Sequence, residues 1–121
     1  MKRITAEKLT EMGACQSEVD TFRKEWPKGC LPTLKNIRRA RELDFDLGWY
    51  AEEALSPAAL TVWDNERDAA HRAWNTAWDA THDQYCIGSP ARKRANAKAD
   101  DAFDLAVAKA LYHALKTGAK K

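Results

Sequence analysis

The sequence predicts an all-α fold, and three observations favour this class. Alanine, the strongest helix former, is very frequent, whereas isoleucine and valine, which strands favour, together number only six. The 5 glycines and 4 prolines nearly all fall at natural helix boundaries. Two Ser-Pro pairs, Ser56-Pro57 and Ser89-Pro90, each combine an N-cap with a proline at the first helical position. We therefore expect a long helix to begin at each pair.

Four short helices are expected before the first Ser-Pro pair. Thr5 and Thr33 are suitable N-caps, and either Asp44 or Asp46 can serve the fourth helix. Gly13 suits the left-handed position that follows a helix end. The predicted spans are about 6–12, 16–26, 34–43 and 47–55.

The two long helices are predicted at about 57–86 and 90–116, with Gly118 ending the second. Because only Ile87 to Ser89 connect them, they must be antiparallel neighbours. The 121 residues suit a single domain. We expect a short-helix bundle at 1–55, a helical hairpin at 56–117 and a tail at 118–121.

A weak 11-residue repeat runs along the first long helix. It places Trp63, Trp74 and Tyr85 in equivalent positions, and eleven residues are close to three whole turns. We interpret this stripe as a helix-packing seam within the core. Two alternatives stay open, namely that Trp74 or Trp78 lies partly outside the seam and meets a partner, or that the stripe forms a homodimer interface.

The sequence contains no recognisable catalytic arrangement. Nucleotide-binding, zinc-protease and hydrolase motifs are all missing, so we expect no enzyme activity and no cofactor. Asp79, His82 and Cys86 share a helix face, but the closely paired ligands of a zinc site are lacking, and no metal is expected. Three widely spaced cysteines favour a reducing compartment over a disulfide framework.

The charge balance is close to neutral, with 20 Lys and Arg residues against 18 Asp and Glu residues. Basic residues nevertheless cluster on the third helix and at the start of the last helix, and exposed aromatic and arginine side chains often anchor interfaces. The candidate binding residues are Arg38, Arg39, Arg41, Arg92, Lys93, Arg94, Trp74 and Trp78.

Part of the sequence follows a pattern of Gly-Ala-Cys, an apolar-spaced helix with a Phe, a Leu-Asp-x-x-x-x-Trp element and then an alanine- and aromatic-rich helix. The residues that carry it are Gly13, Ala14, Cys15, Val19, Phe22, Leu43, Asp44 or Asp46, Trp49 and Leu55. Over about the first two-thirds of the chain, this pattern resembles a group of small phage and prophage proteins. The group has no settled activity, so the resemblance implies a phage origin and no catalytic residue.

Small helical phage proteins often bind a host or phage protein, and inhibitors of bacterial defence such as anti-CRISPR proteins are examples. We therefore expect a non-enzymatic protein-binding module that acts as an inhibitor or accessory factor. The first alternative is a nucleic-acid binder that uses Arg38, Arg39, Arg92, Lys93 and Arg94, and the second is a self-associating structural module. No membrane span or signal peptide is expected, which favours the cytoplasm of a bacterial host.

Overall fold

The computed structural model describes residues 2–119, and these residues form six α-helices. The helices are α1 (Ala6–Met12), α2 (Gln16–Glu25), α3 (Leu34–Glu42), α4 (Leu47–Ala54), α5 (Pro57–Gln84) and α6 (Pro90–Thr117). The all-α prediction and the long antiparallel hairpin are both confirmed. Of the predicted tail at 118–121, residues 120 and 121 lie outside the described residues.

The helix starts follow the expected capping chemistry. The side chains of Thr5, Thr33, Ser56 and Ser89 each accept a hydrogen bond from a backbone N–H of the first turn. For α4 the structure chooses between the two candidates, because the Asp46 carboxylate accepts the backbone N–H of Trp49 at 3.0 Å.

Asp44 has a different role, at the end of α3. Its φ of 63° is in the left-handed region. The Asp44 N–H donates to the carbonyl of Arg41 at 3.0 Å, and the Phe45 N–H donates to that of Ala40 at 3.1 Å. These two bonds form a Schellman motif, which satisfies carbonyls that the helix end would otherwise leave free.

The connection between the long helices begins earlier than predicted. Helix α5 ends at Gln84 rather than Cys86, because Tyr85 adopts an extended conformation. Cys86 to Ser89 then form a turn, in which the Ser89 N–H donates to the Cys86 carbonyl at 3.1 Å. Gly88 occupies the third position with φ 78°, the left-handed geometry of a type II turn. This turn places Ile87 at its outer corner.

The main core lies where α3 and α4 pack on the half of the hairpin that contains the start of α5 and the end of α6. Trp63 is 1% exposed and lies among alanines and leucines of α4, α5 and α6. The buried members are Ile37, Leu47, Ala51, Leu55, Ala59, Trp63, Ala70, Val107, Ala108, Ala110, Leu111 and Ala114. The many small residues let α5 and α6 approach closely, which is why alanine is so frequent in both helices.

A second, smaller core holds α1 and α2 together. Ala6, Val19, Phe22 and Cys30 are its buried residues. An isolated antiparallel bridge closes it, with the Ile4 N–H donating to the Cys30 carbonyl at 2.7 Å and the reverse bond at 2.9 Å. Phe45 connects this core to the rest, because its ring centroid lies 6.5 Å from that of Phe22.

Candidate binding surface

The outer part of the hairpin extends beyond the main core. We call residues 74–100 the arm. No residue between Ala70 and Val107 belongs to the buried core, although Phe103 packs against it. Within residues 2–119, every hydrogen bond, ion pair and ring contact of an arm side chain stays inside the hairpin. Eleven residues of each helix contribute, so the arm is roughly 16 Å long at 1.5 Å per residue.

The face that the two arm helices share buries few side chains. Thr81 and Ala99 are its only buried residues within the described part of the chain. The Thr81 hydroxyl donates to Asn96 Oδ1 at 2.7 Å. A two-helix arm built in this way leaves its outer faces and its end available for a partner.

Trp74 and Trp78 are half-buried at the base of the arm, and one carboxylate binds both. Trp74 Nε1–H donates to Asp100 Oδ1 at 2.8 Å, and Trp78 Nε1–H donates to the same oxygen at 3.2 Å. The two indole rings lie 5.5 Å apart, and Phe103 lies 5.8 Å from Trp74. Both tryptophans therefore contribute to the α5–α6 seam while keeping part of each ring exposed.

Removing the Asp100 carboxylate tests this clamp. We expect Asp100→Ala to lower the free energy of unfolding by about 1–2 kcal/mol, because two indole N–H groups lose a charged acceptor. The intrinsic tryptophan fluorescence should change as the rings gain water contact. Asp101→Ala is the matched control, since Asp101 is the adjacent exposed carboxylate and makes no hydrogen bond to an indole. Equal urea midpoints for the two variants would contradict the clamp.

The 11-residue repeat passes from the core to the solvent along α5. Trp63 is buried, Trp74 is half-buried and Tyr85 is 36% exposed. The three residues are equivalent in sequence, but α3 and α4 cover only the first of them. Burial along this stripe therefore depends on which part of the hairpin the short helices cover.

The end of the arm carries the most exposed large apolar side chain among residues 2–119. Ile87 is 85% exposed at the corner of the turn, beside Tyr85. Sequence reasoning missed Ile87 as a candidate. The available signal was a β-branched apolar residue inside a three-residue connection, where polar residues are usual.

The basic residues at the start of α6 divide into two kinds. Arg92 is half-buried and crosslinks the arm, because its Nη2 lies 2.8 Å from His82 Nδ1. Lys93 and Arg94 are exposed, and neither side chain makes a hydrogen bond or ion pair with residues 2–119. Lys93 and Arg94 are therefore the two basic candidates on the arm that stay available to a partner.

Two of the three candidate arginines on α3 are engaged within the fold. Arg39 binds Glu25 of α2 at 2.8 Å and Glu42 at 3.1 Å. This contact, chiefly its hydrogen bond, lowers the pKa of the Glu25 carboxyl. Arg41 binds Asp104 of α6 at 2.7 Å and lies over the Phe103 ring at 5.3 Å. Both therefore attach α3 to its neighbours.

The third arginine, Arg38, lines a polar groove of about 410 Å³ between α3 and α6. Four carboxylates and one further guanidinium share this groove, so its charge does not suit a phosphate. The lining carboxylates are Glu42, Asp44, Asp101 and Asp104. Lys93 and Asp104 are eleven positions apart on α6, or about 16 Å, and this distance separates the α3 arginines from the arm cations.

Tyr50 marks a second region, away from the arm. Its side chain is mostly buried beside Cys30 and lines an apolar groove between the two cores. Burial, and next the nearby Cys30, raise the pKa of Tyr50 to about 12. Burial also raises the pKa of the Cys30 thiol, which Arg3 partly opposes.

The Tyr50 shift predicts a loss of stability at alkaline pH. Because the folded pKa of about 12 is above the ordinary value of 10, the neutral phenol is favoured by folding. This contribution is complete below pH 10 and is lost as the pH rises through 12, by about 3 kcal/mol in total. Urea unfolding between pH 9 and 11.5 should show a smaller loss for Tyr50→Phe than for the natural chain. Parallel curves would contradict the assignment.

Within the described residues, no three His, Cys, Asp or Glu side chains come together in a way that could hold a metal ion. None of the helices in residues 2–119 has an apolar stretch long enough to cross a membrane.

The chain matches no protein-family model, no curated protein sequence and no solved structure. The resemblance to small phage proteins therefore stays a prediction.

Proposed function

We propose that this protein is a non-enzymatic binding module that docks a partner protein through the end of its arm. The observation that carries the proposal is the tip, where Ile87 is 85% exposed beyond the part of the hairpin that the short helices cover. Tyr85 adds a half-exposed aromatic ring, and Lys93 and Arg94 add two free cations. Apolar and arginine side chains at a protruding end are typical anchors of protein interfaces.

The dimensions of the arm favour a concave partner surface. Two helices, each about 10 Å wide and 16 Å long, offer roughly 320 Å² on one flat face. A standard interface buries about 800 Å² per partner. An arm that inserts into a recess can bury both faces and its end, and so reach this area. The recess would have an apolar floor for Ile87 and acidic groups on the side that faces the start of α6.

The charge of the arm supports a protein partner over a nucleic acid. Residues 74–100 carry four Lys or Arg residues and three Asp residues, a balance of only one positive charge. Arg92 is also engaged with His82. Nucleic-acid affinity depends on neutralising several phosphates at once, which this balance does not support.

The mode of action that follows is steric occupation of the partner's surface. The resemblance to small phage proteins extends this proposal to an inhibitor or accessory factor that a phage directs at a host protein, such as a defence complex.

A pair of matched substitutions tests the role of the tip. Tagged full-length protein is used to capture partners from bacterial lysate, both with and without nuclease treatment. We expect Ile87→Asp to reduce recovery of a stoichiometric partner at least tenfold while leaving the melting temperature unchanged. Leu31→Asp is the control, because Leu31 is also an exposed apolar loop residue, at 44%, but belongs to the body of the fold.

Three outcomes would contradict the proposal. The first is equal partner recovery with Ile87→Asp and Leu31→Asp. The second is recovery of nucleic acid with binding that weakens steeply with salt, which would favour the basic residues of α3 and α6. The third is a dimer in sedimentation that Ile87→Asp dissociates, which would make the tip a self-association surface.

A further inference from the structure

One hydrogen bond between the arm helices shows which of their faces point outward. The Thr81 hydroxyl of α5 donates to Asn96 Oδ1 of α6 at 2.7 Å, so both side chains point into the seam between the helices. Successive residues of an α-helix are rotated by about 100°, so a residue two positions away projects about 200° from the seam. The residues two positions before and after Thr81, and those two positions before and after Asn96, therefore lie on the outer faces of the arm.

These four outer positions carry charges of opposite sign on the two helices. Asp79 and Asp83 flank Thr81 on α5, and we call them the acidic face. Arg94 and Lys98 flank the seam residue of α6 in the same way, and we call them the basic face. All four side chains are exposed, and none makes a hydrogen bond or ion pair with residues 2–119.

The two faces are too far apart to neutralise each other. Because α5 and α6 are antiparallel, Asp79 lies level with Lys98, and Asp83 lies level with Arg94. Two packed helices with their side chains are about 20 Å thick, and these four side chains are on opposite sides of that thickness. The screening length in physiological salt is only about 8 Å. Each pair is therefore available to a charge outside the chain.

The separation of charge is confined to the arm. Towards the body, the next charged residues that point outward are Arg72 on α5 and Asp101 on α6. Arg72 is two residues before Trp74, and Asp101 is two residues after the buried Ala99. Each carries the sign opposite to that of the face it continues. The arm therefore differs from the rest of the hairpin in its charge pattern as well as in its lack of cover.

We propose that the partner recess that receives the arm has walls of opposite charge, with basic side chains against Asp79 and Asp83 and acidic side chains against Arg94 and Lys98. This inference rests on the proposed docking through the tip and states the chemistry of the partner. A two-helix arm could enter a recess in two orientations that differ by half a turn about its long axis. The charges select one of them, because the other places like charges together at both walls.

Other occupants match this arrangement less well. A nucleic acid presents negative charge, so the acidic face would repel it. A second copy of the chain could place its basic face on the acidic face of the first. That contact is heterologous and leaves one charged face of each copy free, so assembly would continue to a ring or a fibre. A recess with two walls satisfies both faces of one arm.

Charge reversal of each face tests the proposal with the full-length chain. The partner that the natural chain captures is identified, purified and titrated with two double variants, Asp79→Lys with Asp83→Lys and Arg94→Glu with Lys98→Glu. We expect each double variant to bind about tenfold or more weakly, chiefly through slower association, and the loss to shrink at high salt.

A matched control reverses two cations of the body. Lys35 and Lys109 are exposed and make no ion pair with the described residues, so Lys35→Glu with Lys109→Glu should change the affinity less than about twofold. Melting temperatures confirm that each variant is folded. The neutral substitutions Asp79→Asn with Asp83→Asn should give a smaller loss than the reversal of the same pair.

Photo-crosslinking beside each face locates the two walls. A photoreactive phenylalanine analogue replaces Thr76, beside the acidic face, or Ala97, beside the basic face, so that all four charges are retained. We expect the adduct from position 76 to lie in a segment of the partner rich in Lys and Arg. The adduct from position 97 should lie in a separate segment rich in Asp and Glu.

The outcomes separate this inference from the proposed function. Capture of no partner by the natural chain would contradict both. A partner that depends on Ile87 but binds both reversals as tightly as the natural chain would overturn the charged walls and leave tip docking intact. The same holds if one reversal strengthens binding, which would indicate walls of a single sign. Self-association at low salt that either reversal abolishes would make a second copy the occupant and would also overturn the proposal.

Discussion

Replacing Trp63 by alanine is expected to lower the free energy of unfolding by about 3–5 kcal/mol. Trp63 is 1% exposed and lies at the centre of the main core, between α4 and the long hairpin. Its loss leaves a large cavity that the surrounding alanines are too small to fill. The total free energy of unfolding of a domain is about 5–15 kcal/mol. The urea concentration at the unfolding midpoint should therefore fall by a large fraction in this variant.

Trp63→Phe provides the control for this substitution. The buried indole Nε1 of Trp63 has no hydrogen-bond partner within the described residues, so phenylalanine removes an unsatisfied donor together with part of the ring. We expect a loss of about 1–2 kcal/mol, clearly smaller than that of Trp63→Ala. A cost below about 1.5 kcal/mol for Trp63→Ala itself would contradict its central position.

Gly29→Ala is expected to detach the segment around Ile4 from Cys30. We expect it to lower the free energy of unfolding by about 2–4 kcal/mol. Gly29 has a φ of 79°, and an added Cβ would lie 2.5 Å from the carbonyl oxygen of Ile4. That oxygen accepts the Cys30 N–H, so the clash breaks the bridge that closes the smaller core. The effect should appear as earlier local unfolding and as faster alkylation of Cys30.

Gly13→Ala separates the clash from the backbone strain. Gly13 also has a positive φ, of 95°, but an added Cβ there would have no heavy atom within 4 Å. We expect this variant to lower the free energy of unfolding by about 1 kcal/mol, because alanine is strained in the left-handed conformation. The alkylation rate of Cys30 should stay nearly unchanged. Comparable costs for the two glycine variants would show that the Ile4–Cys30 bridge contributes little.

The parts of the fold that depend on local chemistry could be predicted from the sequence. Ser56-Pro57 and Ser89-Pro90 determine the starts of the long helices, and the short connection between them makes them antiparallel. The end of α5 could not be placed as well, because the Cys86–Ser89 turn competes with the last helical turn. Asp44 and Asp46 are equivalent as caps in the sequence. The structure distinguishes them, because Asp44 takes part in the Schellman motif at the end of α3 while Asp46 accepts the N–H of Trp49.

Contacts between distant residues determine the parts of the site that sequence reasoning could not assign. Arg39 and Arg41 look like a free basic face, but Glu25 and Asp104 come from other helices and engage them. Trp74 and Trp78 could be placed on one stripe, but their shared bond to Asp100 depends on the register of α6. Ile87 can be recognised as a candidate binding residue only once the structure shows that its neighbours leave it exposed.

The role of the arm tip can be tested most directly by photo-crosslinking from single positions. A photoreactive phenylalanine analogue is placed at residue 87 or, as the control, at residue 31, and the full-length protein is irradiated in bacterial lysate after nuclease treatment. We predict one dominant adduct with a partner protein from position 87 and none of that adduct from position 31. The same adduct from both positions, an adduct between two copies of this chain, or no protein adduct from position 87 would contradict docking through the arm.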